Sequence, residues 1–391
     1  MAAPKLRIIG TSATLTDELR EAARADLDFE LEFDVLDGQA CLRRGVLSPE
    51  SYDVYDQWFY SLDVLWTAGS IQAVDTSRIT RWQQVNVAGK ASGQLVEHNA
   101  GKAPTDLLFV QPDGTLGPSH RHTDRPFIGM VPTTYNVDSF AYRSELLSEV
   151  GPGEAESWSW LLDDRWHGRA TISLDPAGSA VELALAARSA GLVDLRDPGD
   201  LTTEEIDALF DVLRSLKRRG HFARFWGSAE DSVGLMTNPS VIGSLWSPAF
   251  YSLRGLGEDL IYAAPREGYR GWHSGLCLSA SASPEAVDMA YRYMNWWLDG
   301  RAGAIMARQG YYISVTEPLS STLSQAEWNY WYGGEPASED LLGMSGRVVV
   351  RKGERREGGS HRERIGKVAV WSTIMPEHNY LARRWRELVE L

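Results

Sequence analysis

Apolar positions near the start of the chain switch between strand and helix periods. Leu6-Arg7-Ile8-Ile9 is a short apolar run that stops at Gly10, as a strand does at a turn. Thr16 then offers a helix cap, Asp17 and Glu18 fall in the first turn, and Leu19, Ala22, Ala23 and Leu27 keep helical spacing. Phe29 to Leu36 alternates apolar with acidic residues and predicts a second strand. Tyr52-Asp53-Val54-Tyr55 begins a third, leading into Asp56-Gln57-Trp58-Phe59-Tyr60. A strand–helix–strand opening predicts a parallel sheet with right-handed crossovers.

Further along, residues 84–126 are polar and irregular and predict loops. Phe127 to Pro132 predicts a strand, followed by Thr133-Thr134-Tyr135-Asn136. Ser157-Trp158-Ser159-Trp160 begins a short amphipathic helix. Thr171 to Leu174 predicts a strand that ends at Asp175-Pro176-Ala177-Gly178-Ser179, and an Ala/Leu-rich helix follows. Thr202-Thr203-Glu204-Glu205 offers a capping box. Ile206, Leu209, Phe210, Leu213 and Leu216 then share a face, and Gly220 stops the helix. The triplet Lys217-Arg218-Arg219 fits a solvated last turn, where the helix dipole favours cations. Ser283-Pro284-Glu285 opens another helix that runs to Leu298. Residues 351–364 are charged and Gly-rich and predict an exposed loop, and Pro376 opens a final helix with Tyr380, Leu381, Trp385 and Leu388 on one face. Trp158, Trp160, Trp296 and Trp297 lie in helical segments and are expected in cores.

Composition changes this picture little. A length of 391 residues suits two lobes rather than one core. No apolar run approaches the roughly 18 residues of a membrane span, so a membrane-spanning chain is not expected. The net charge of -14, with no basic block, argues against a nucleic-acid surface. Fifteen Trp, 15 Tyr and 10 Phe are many, and such side chains suit ligand clefts as well as cores. Cys41 and Cys277 lack metal-type spacing and are expected as buried thiols. No signal-peptide pattern precedes the first strand; a mature exported protein with an added Met and a cytosolic protein read alike here.

Searches for catalytic chemistry return nothing specific. The sequence has no Gly-x-Ser-x-Gly elbow, Walker loop, Gly-x-Gly-x-x-Gly or His-Glu-x-x-His. His120 and His122 stand close enough for a metal pair, but they lie among turn residues without a carboxylate or thiol partner, so a surface loop is expected. Asp163-Asp164 and Glu204-Glu205 sit at helix starts, where acids are stabilised anyway. No catalytic residue, metal site or cofactor is expected, and the chain is read as not an enzyme.

Several segments in series resemble the periplasmic spermidine/putrescine-binding proteins of ABC importers. They are Tyr52-Asp53-Val54-Tyr55-Asp56, Val131-Pro132-Thr133-Thr134-Tyr135 with Phe140-Ala141-Tyr142, and Ser157-Trp158 through Trp166-His167-Gly168-Arg169. They continue with Ser244-Leu245-Trp246-Ser247, Ala264-Pro265-Arg266-Glu267-Gly268 with Trp272, and Gln309-Gly310-Tyr311. The resemblance implies an α/β, two-lobed periplasmic-binding-protein fold (type II-like), each lobe a mixed sheet flanked by helices, joined by crossing hinge strands. The first lobe would comprise residues 1–131 and 273–315 and the second 132–272 and 316–391, with the ligand cleft between them. Hinge motion would close it.

The same resemblance implies a ligand site residue by residue. Thr11 and Ser12 lie in the loop after the first strand, which lacks the family's aromatic residue. Gln57, Trp58 and Tyr60 form the second ligand loop, and Tyr135 follows the crossover. Trp246 and Trp272 match the stacking tryptophans, Tyr311 the Gly-Tyr turn, and Trp371 with Ser372 the Trp-Gln pair. The family's Asp-x-x-Glu falls on Pro176-Ala177-Gly178-Ser179 with Asp175 one place earlier, and its second Asp falls on Ser274. Polyamine ammonium groups need paired acids, so two possibilities stand. Asp175, Asp56 or another acid takes over for an amine; or the ligand is neutral, anionic or of mixed charge. In the second case Gly178 and Ser179 at a helix N-terminus, with Ser12, Ser247 and Ser274, would supply donors. The second is favoured, with an amino acid derivative or a phosphorylated compound as examples. The implied partners are a small-molecule ligand and ABC permease subunits, the implied state a monomer, and the implied location the periplasm. An enzyme on the same scaffold and a signalling solute receptor are the alternatives.

Overall fold

The structure, a computed structural model, describes residues 5–97, 100–118, 126–227 and 241–391. The chain divides into two compact units, Met1–Leu95 with Lys102–Asn136 and Trp272–Trp331, and Val96–Gly101 with Val137–Gly271 and Tyr332–Leu391.

In the first unit, strands Glu30–Val35, Lys5–Gly10 and Val54–Trp58 lie side by side and parallel. Strand Tyr269–Ser279, from Trp272 onward, runs antiparallel to Val54–Trp58 and also pairs Ile71–Gln72. The short strand Tyr312–Ile313 pairs Tyr135 and Thr134 of strand Val131–Arg143. The helices begin where side chains cap them. The Thr16 hydroxyl accepts from Leu19 N at 3.3 Å ahead of Asp17–Asp26, and Ser283 accepts from Ala286 N at 3.2 Å ahead of Pro284–Trp297. Helix Pro284–Trp297 turns its apolar face to the sheet and brings Tyr293 to 6.2 Å from the Phe33 ring. Cys41 and Cys277 are buried free thiols.

In the second unit the order is Phe222–Trp226, Ala170–Ser173, Ile242–Leu245 and then the part of Val131–Arg143 beyond Asn136. The first three are parallel and the last is antiparallel; Leu260–Tyr262 pairs the same long strand. Helix Pro176–Ser189 is buried at every residue from Gly178 to Ala187, which explains its small side chains and lack of a polar face. Helices Thr203–Arg218 and His378–Val389 pack with it around Trp158, Trp166, Phe210 and Trp385. The Thr202–Glu205 capping box forms as expected.

Three local expectations change. The strand expected over 127–132 is two strands, Phe127–Ile128 and the 13-residue Val131–Arg143, separated by a bend at Gly129 and Met130. The helix expected at Trp158 is a pair of 3-10 turns, Trp158–Leu162 and Asp164–Trp166, because three large indoles enter the core within nine residues. Residues 351–364 are not simply an exposed loop. Arg356 and Arg364 are buried, and Ser360 with Glu363 caps a helix, His361–Gly366. Arg364 donates to Val137 O at 3.1 Å and lies over the Tyr269 ring at 4.9 Å. His120 and His122 lie outside the described residues.

Candidate functional site

The first unit gathers its expected site residues at the carboxyl ends of parallel strands. Gly10 pairs Asp56 across Lys5–Gly10 and Val54–Trp58, so Thr11 and Ser12 emerge beside Gln57 and Trp58. Ser274 is the register partner of Trp58, and its hydroxyl donates to Gln57 O at 3.1 Å. The Trp58 and Tyr60 rings stack at 5.5 Å with 20° between planes, both half-buried. Trp272 and Tyr311 meet edge to face at 5.1 Å. Tyr135 stacks on His273 at 5.3 Å and accepts a hydrogen bond from Asn86 Nδ2 at 3.2 Å. Burial lowers His273 to about 4, so its ring is neutral at pH 7. Trp58 has a glycine for a seat: a Cβ on Gly38 would come within 2.8 Å of its ring. Strand ends of this kind are where α/β proteins place ligands.

The second unit repeats the arrangement. Ala170–Ser173 and Ile242–Leu245 are parallel neighbours, so Asp175 to Ser179 and Trp246 to Ser247 leave adjacent carboxyl ends. Trp246 meets Trp226 edge to face at 5.0 Å. Ser247 opens helix Ser247–Gly255 and shares a hydrogen bond with the buried Tyr262 hydroxyl. Trp371 is the register partner of Gly271, and a Cβ there would come within 2.5 Å of its ring.

The sequence left the N–H groups at Gly178 and Ser179 free for an anion. The structure corrects that. Asp175 caps the helix, accepting from Ala177 N at 3.3 Å and Gly178 N at 3.0 Å, while its carbonyl accepts from Ser179 N at 2.9 Å. The protein's own carboxylate occupies the position an anion would take. Ser179 Oγ is buried with no hydrogen-bond partner among the described residues.

A charge cluster that sequence reasoning missed lies beside this cap. The Arg270 guanidinium donates from Nη2 to Asp138 Oδ2 at 2.9 Å, from Nε to Glu182 Oε1 at 2.8 Å and from Nη1 to Ser372 Oγ at 3.0 Å. All four side chains are buried. Burial raises Asp175, against the pull of Arg270 and of the N–H groups it caps. Burial also pushes Glu182 up to about 7, whereas the surrounding acids hold Arg270 above its usual value. One fixed cation thus stands among three carboxylates. The available signal was an arginine inside the strand-like run from Tyr269 to Leu278, which holds no Lys, Asp or Glu, since a charge in a fully buried strand needs partners.

Asp56, the other acid considered for an amine, is buried and takes a single hydrogen bond, from Thr14 Oγ1 at 2.9 Å; its Oδ2 has no partner. Burial raises its pKa from 3.8 to about 7, with the Thr14 bond opposing. An acid raised in the native state stabilises the fold fully below its unfolded pKa, and that contribution fades as pH rises through the native value. Stability should therefore fall between about pH 4 and pH 7, by up to about 4 kcal/mol from this group at about 1.4 kcal/mol per unit. In urea titrations at pH 5 and pH 8, Asp56→Asn should reduce that difference and leave the part set by other raised acids such as Glu182; an unchanged difference would show that Asp56 does not contribute.

Comparison with known proteins follows this geometry. A family model described as bacterial extracellular solute-binding protein matches residues 69–329. A spermidine/putrescine ABC transporter substrate-binding protein from Streptococcus pneumoniae is similar over 98% of this chain and 99% of its own, at 13% identity and TM-score 0.62. The binding protein AgtB from A. tumefaciens R10, in complex with agropinic acid, covers 100% of both chains at 13% identity and TM-score 0.61. The binding protein MotA from A. tumefaciens B6, in complex with glucopine, covers 99% of this chain and 100% of its own at 12% identity and TM-score 0.62. At such identities these likenesses show a shared fold. It is the α/β periplasmic-binding-protein fold expected from the sequence.

Proposed function

Because this chain belongs to the bacterial extracellular solute-binding protein family, we propose that it is the solute-binding component of an ABC importer and takes a mixed-charge small molecule, such as an amino acid derivative, rather than a polyamine. It would act outside the cytoplasmic membrane and deliver its solute to permease subunits. Among the described residues no helix is long and apolar enough to cross a membrane.

The observation that carries the ligand class is the state of the acids. At the positions where the resemblance places the carboxylates of polyamine binders, this chain has Pro176, Ser179 and Ser274, and Ser274 already donates to Gln57 O. The remaining Asp175 caps a helix, and Asp138 and Glu182 are held by Arg270. A desolvated ammonium needs an acid of its own, and a polyamine brings several. A solute with one ammonium and one carboxylate needs one acid at most and brings an anion of its own, so it makes a smaller demand on acids already engaged within the fold. Agropinic acid, glucopine and spermidine/putrescine in the names of similar proteins mark the range of solutes this fold accommodates. Trp58 and Tyr60 in the first unit are half-buried and offer flat apolar faces, as Trp246 does in the second; Trp272, Tyr311 and Trp371 are buried. Thr11, Ser12, Gln57, Tyr135 and Ser247 offer polar contacts.

The test is a thermal-shift panel of spermidine, putrescine, γ-aminobutyrate, glutamate, glucopine and agropinic acid. A true ligand at about 100 times its Kd adds about 2.7 kcal/mol of stability, a shift of several degrees. Stabilisation confined to the mixed-charge compounds is expected. Stabilisation by spermidine or putrescine alone would defeat the ligand class while leaving the family assignment intact.

A further inference from the structure

The second unit holds a three-residue cluster that includes none of the candidate ligand residues: Asp164, His167 and His221. One ligand atom from each lies within 4.8 Å of the others, close enough for a single ion. The backbone fixes the two histidines together. Asp164 begins the 3-10 turn Asp164–Trp166, and His167 follows it, its N–H donating to Asp164 O at 3.1 Å. His221 follows helix Thr203–Arg218, its N–H donating to Leu216 O at 3.0 Å. Gly168 N then donates to His221 O at 2.9 Å, which ties one segment to the other. Gly168 and Gly220, the neighbours of the two histidines, both adopt positive φ, at 73° and 80°. That conformation lets the chain turn sharply at each histidine.

The decisive atom is Nδ1 of His221. The His221 ring is buried, and its Nε2 lies 2.9 Å from Leu161 O. A carbonyl oxygen only accepts, so Nε2 carries the hydrogen and the neutral ring presents a lone pair on Nδ1. Among the described residues no donor meets that lone pair. A buried acceptor without a partner costs free energy. An imidazole whose other nitrogen donates to a backbone carbonyl is the form in which histidine binds metals. The His167 ring is 6.0 Å away, and His167 and Asp164 are exposed, so an ion can reach the cluster.

We propose that Asp164, His167 and His221 form a binding site for one divalent transition ion of the Zn²⁺ class. Two imidazoles and one carboxylate suit zinc, nickel or copper, and leave a position for water. Magnesium and calcium prefer all-oxygen shells. Arg219, exposed and 3.8 Å from Asp164, is the competing cation and would swing away on binding. Asp164 and Arg219 also line an open cavity of about 700 Å³ with Asp163, Asp211, Ser215 and Leu216. The ion would staple the turn after Leu162 to the end of helix Thr203–Arg218.

The full chain, stripped with a chelator and dialysed, is titrated with ZnCl₂ by calorimetry and by thermal shift. Saturable binding of one equivalent with a rise in Tm is expected, with no shift from millimolar MgCl₂ or CaCl₂. His167→Ala and Asp164→Ala alter exposed side chains and should keep the fold, yet each should weaken Zn²⁺ binding at least tenfold. A chain with His120 and His122 both changed to Ala should bind as the wild type does. Absence of saturable Zn²⁺ binding would overturn the proposal. So would undiminished binding in His167→Ala, or loss of binding in the His120/His122 double variant.

Discussion

Arg270→Ala should destabilise the protein by about 3–5 kcal/mol, a large share of the roughly 5–15 kcal/mol that holds a typical fold. The substitution removes the guanidinium that Asp138 and Glu182 share, and both carboxylates are about 97% shielded from solvent. The loss comes from leaving acids buried without a partner, not from the worth of the ion pairs themselves. Two comparisons separate these causes. Arg270→Lys keeps the charge but cannot reproduce the three-way fork to Asp138, Glu182 and Ser372, so it should recover only part of the loss. Replacing Arg270, Asp138 and Glu182 together with Met and Leu should cost far less than Arg270→Ala alone. The deficit of Arg270→Ala should also shrink in acid, because protonated acids no longer need a cation. Urea unfolding at pH 4.5 and pH 7.5 measures all three. An equal loss at both pH values would place the defect in packing rather than charge.

Trp272→Ala should weaken binding of the panel's strongest stabiliser at least 30-fold, or about 2 kcal/mol or more. Buried aromatic anchors in ligand sites commonly carry losses of that size. Trp272 is 4% exposed and meets Tyr311 edge to face, so truncation also opens a cavity, and some loss of stability will accompany it. Trp272→Phe isolates the binding term: it keeps an aromatic face, and should bind within about tenfold of wild type while restoring most of the stability. Equal affinity in Trp272→Ala and wild type would remove Trp272 from the site and with it the mapping of the strand Tyr269–Ser279.

Much of the fold was legible because local signals agreed with tertiary packing. Thr16, Thr202 and Ser283 each cap the helix that their spacing indicated. The parallel start followed from the alternation at Phe29 to Leu36 and the run at Leu6 to Gly10. Tertiary burial overrode local appearance elsewhere. The segment near Arg356 and Arg364 looks solvated because it is charged, yet both arginines are buried. Arg364 reaches Val137 O, 227 positions away, a contact no local pattern encodes. The site was legible as a set of aromatic residues at strand ends, and register brings Gln57, Trp58 and Ser274 together as neighbours. Its electrostatics were not. The Arg270 cluster depends on side chains from Asp138, Glu182 and Ser372, which meet through folding alone. The Asp164, His167 and His221 cluster was hidden for the same reason, since 54 positions separate its histidines.

The solute class is tested most directly by isothermal titration of the full chain, with spermidine in one experiment and the panel's strongest mixed-charge stabiliser in another. One-to-one binding of the mixed-charge compound with a Kd at or below the micromolar range, and no saturable heat with spermidine, is the predicted result. Saturable, tighter binding of spermidine would contradict it, and would mean that acids now held by Arg270 and the helix cap are released to meet ammonium groups.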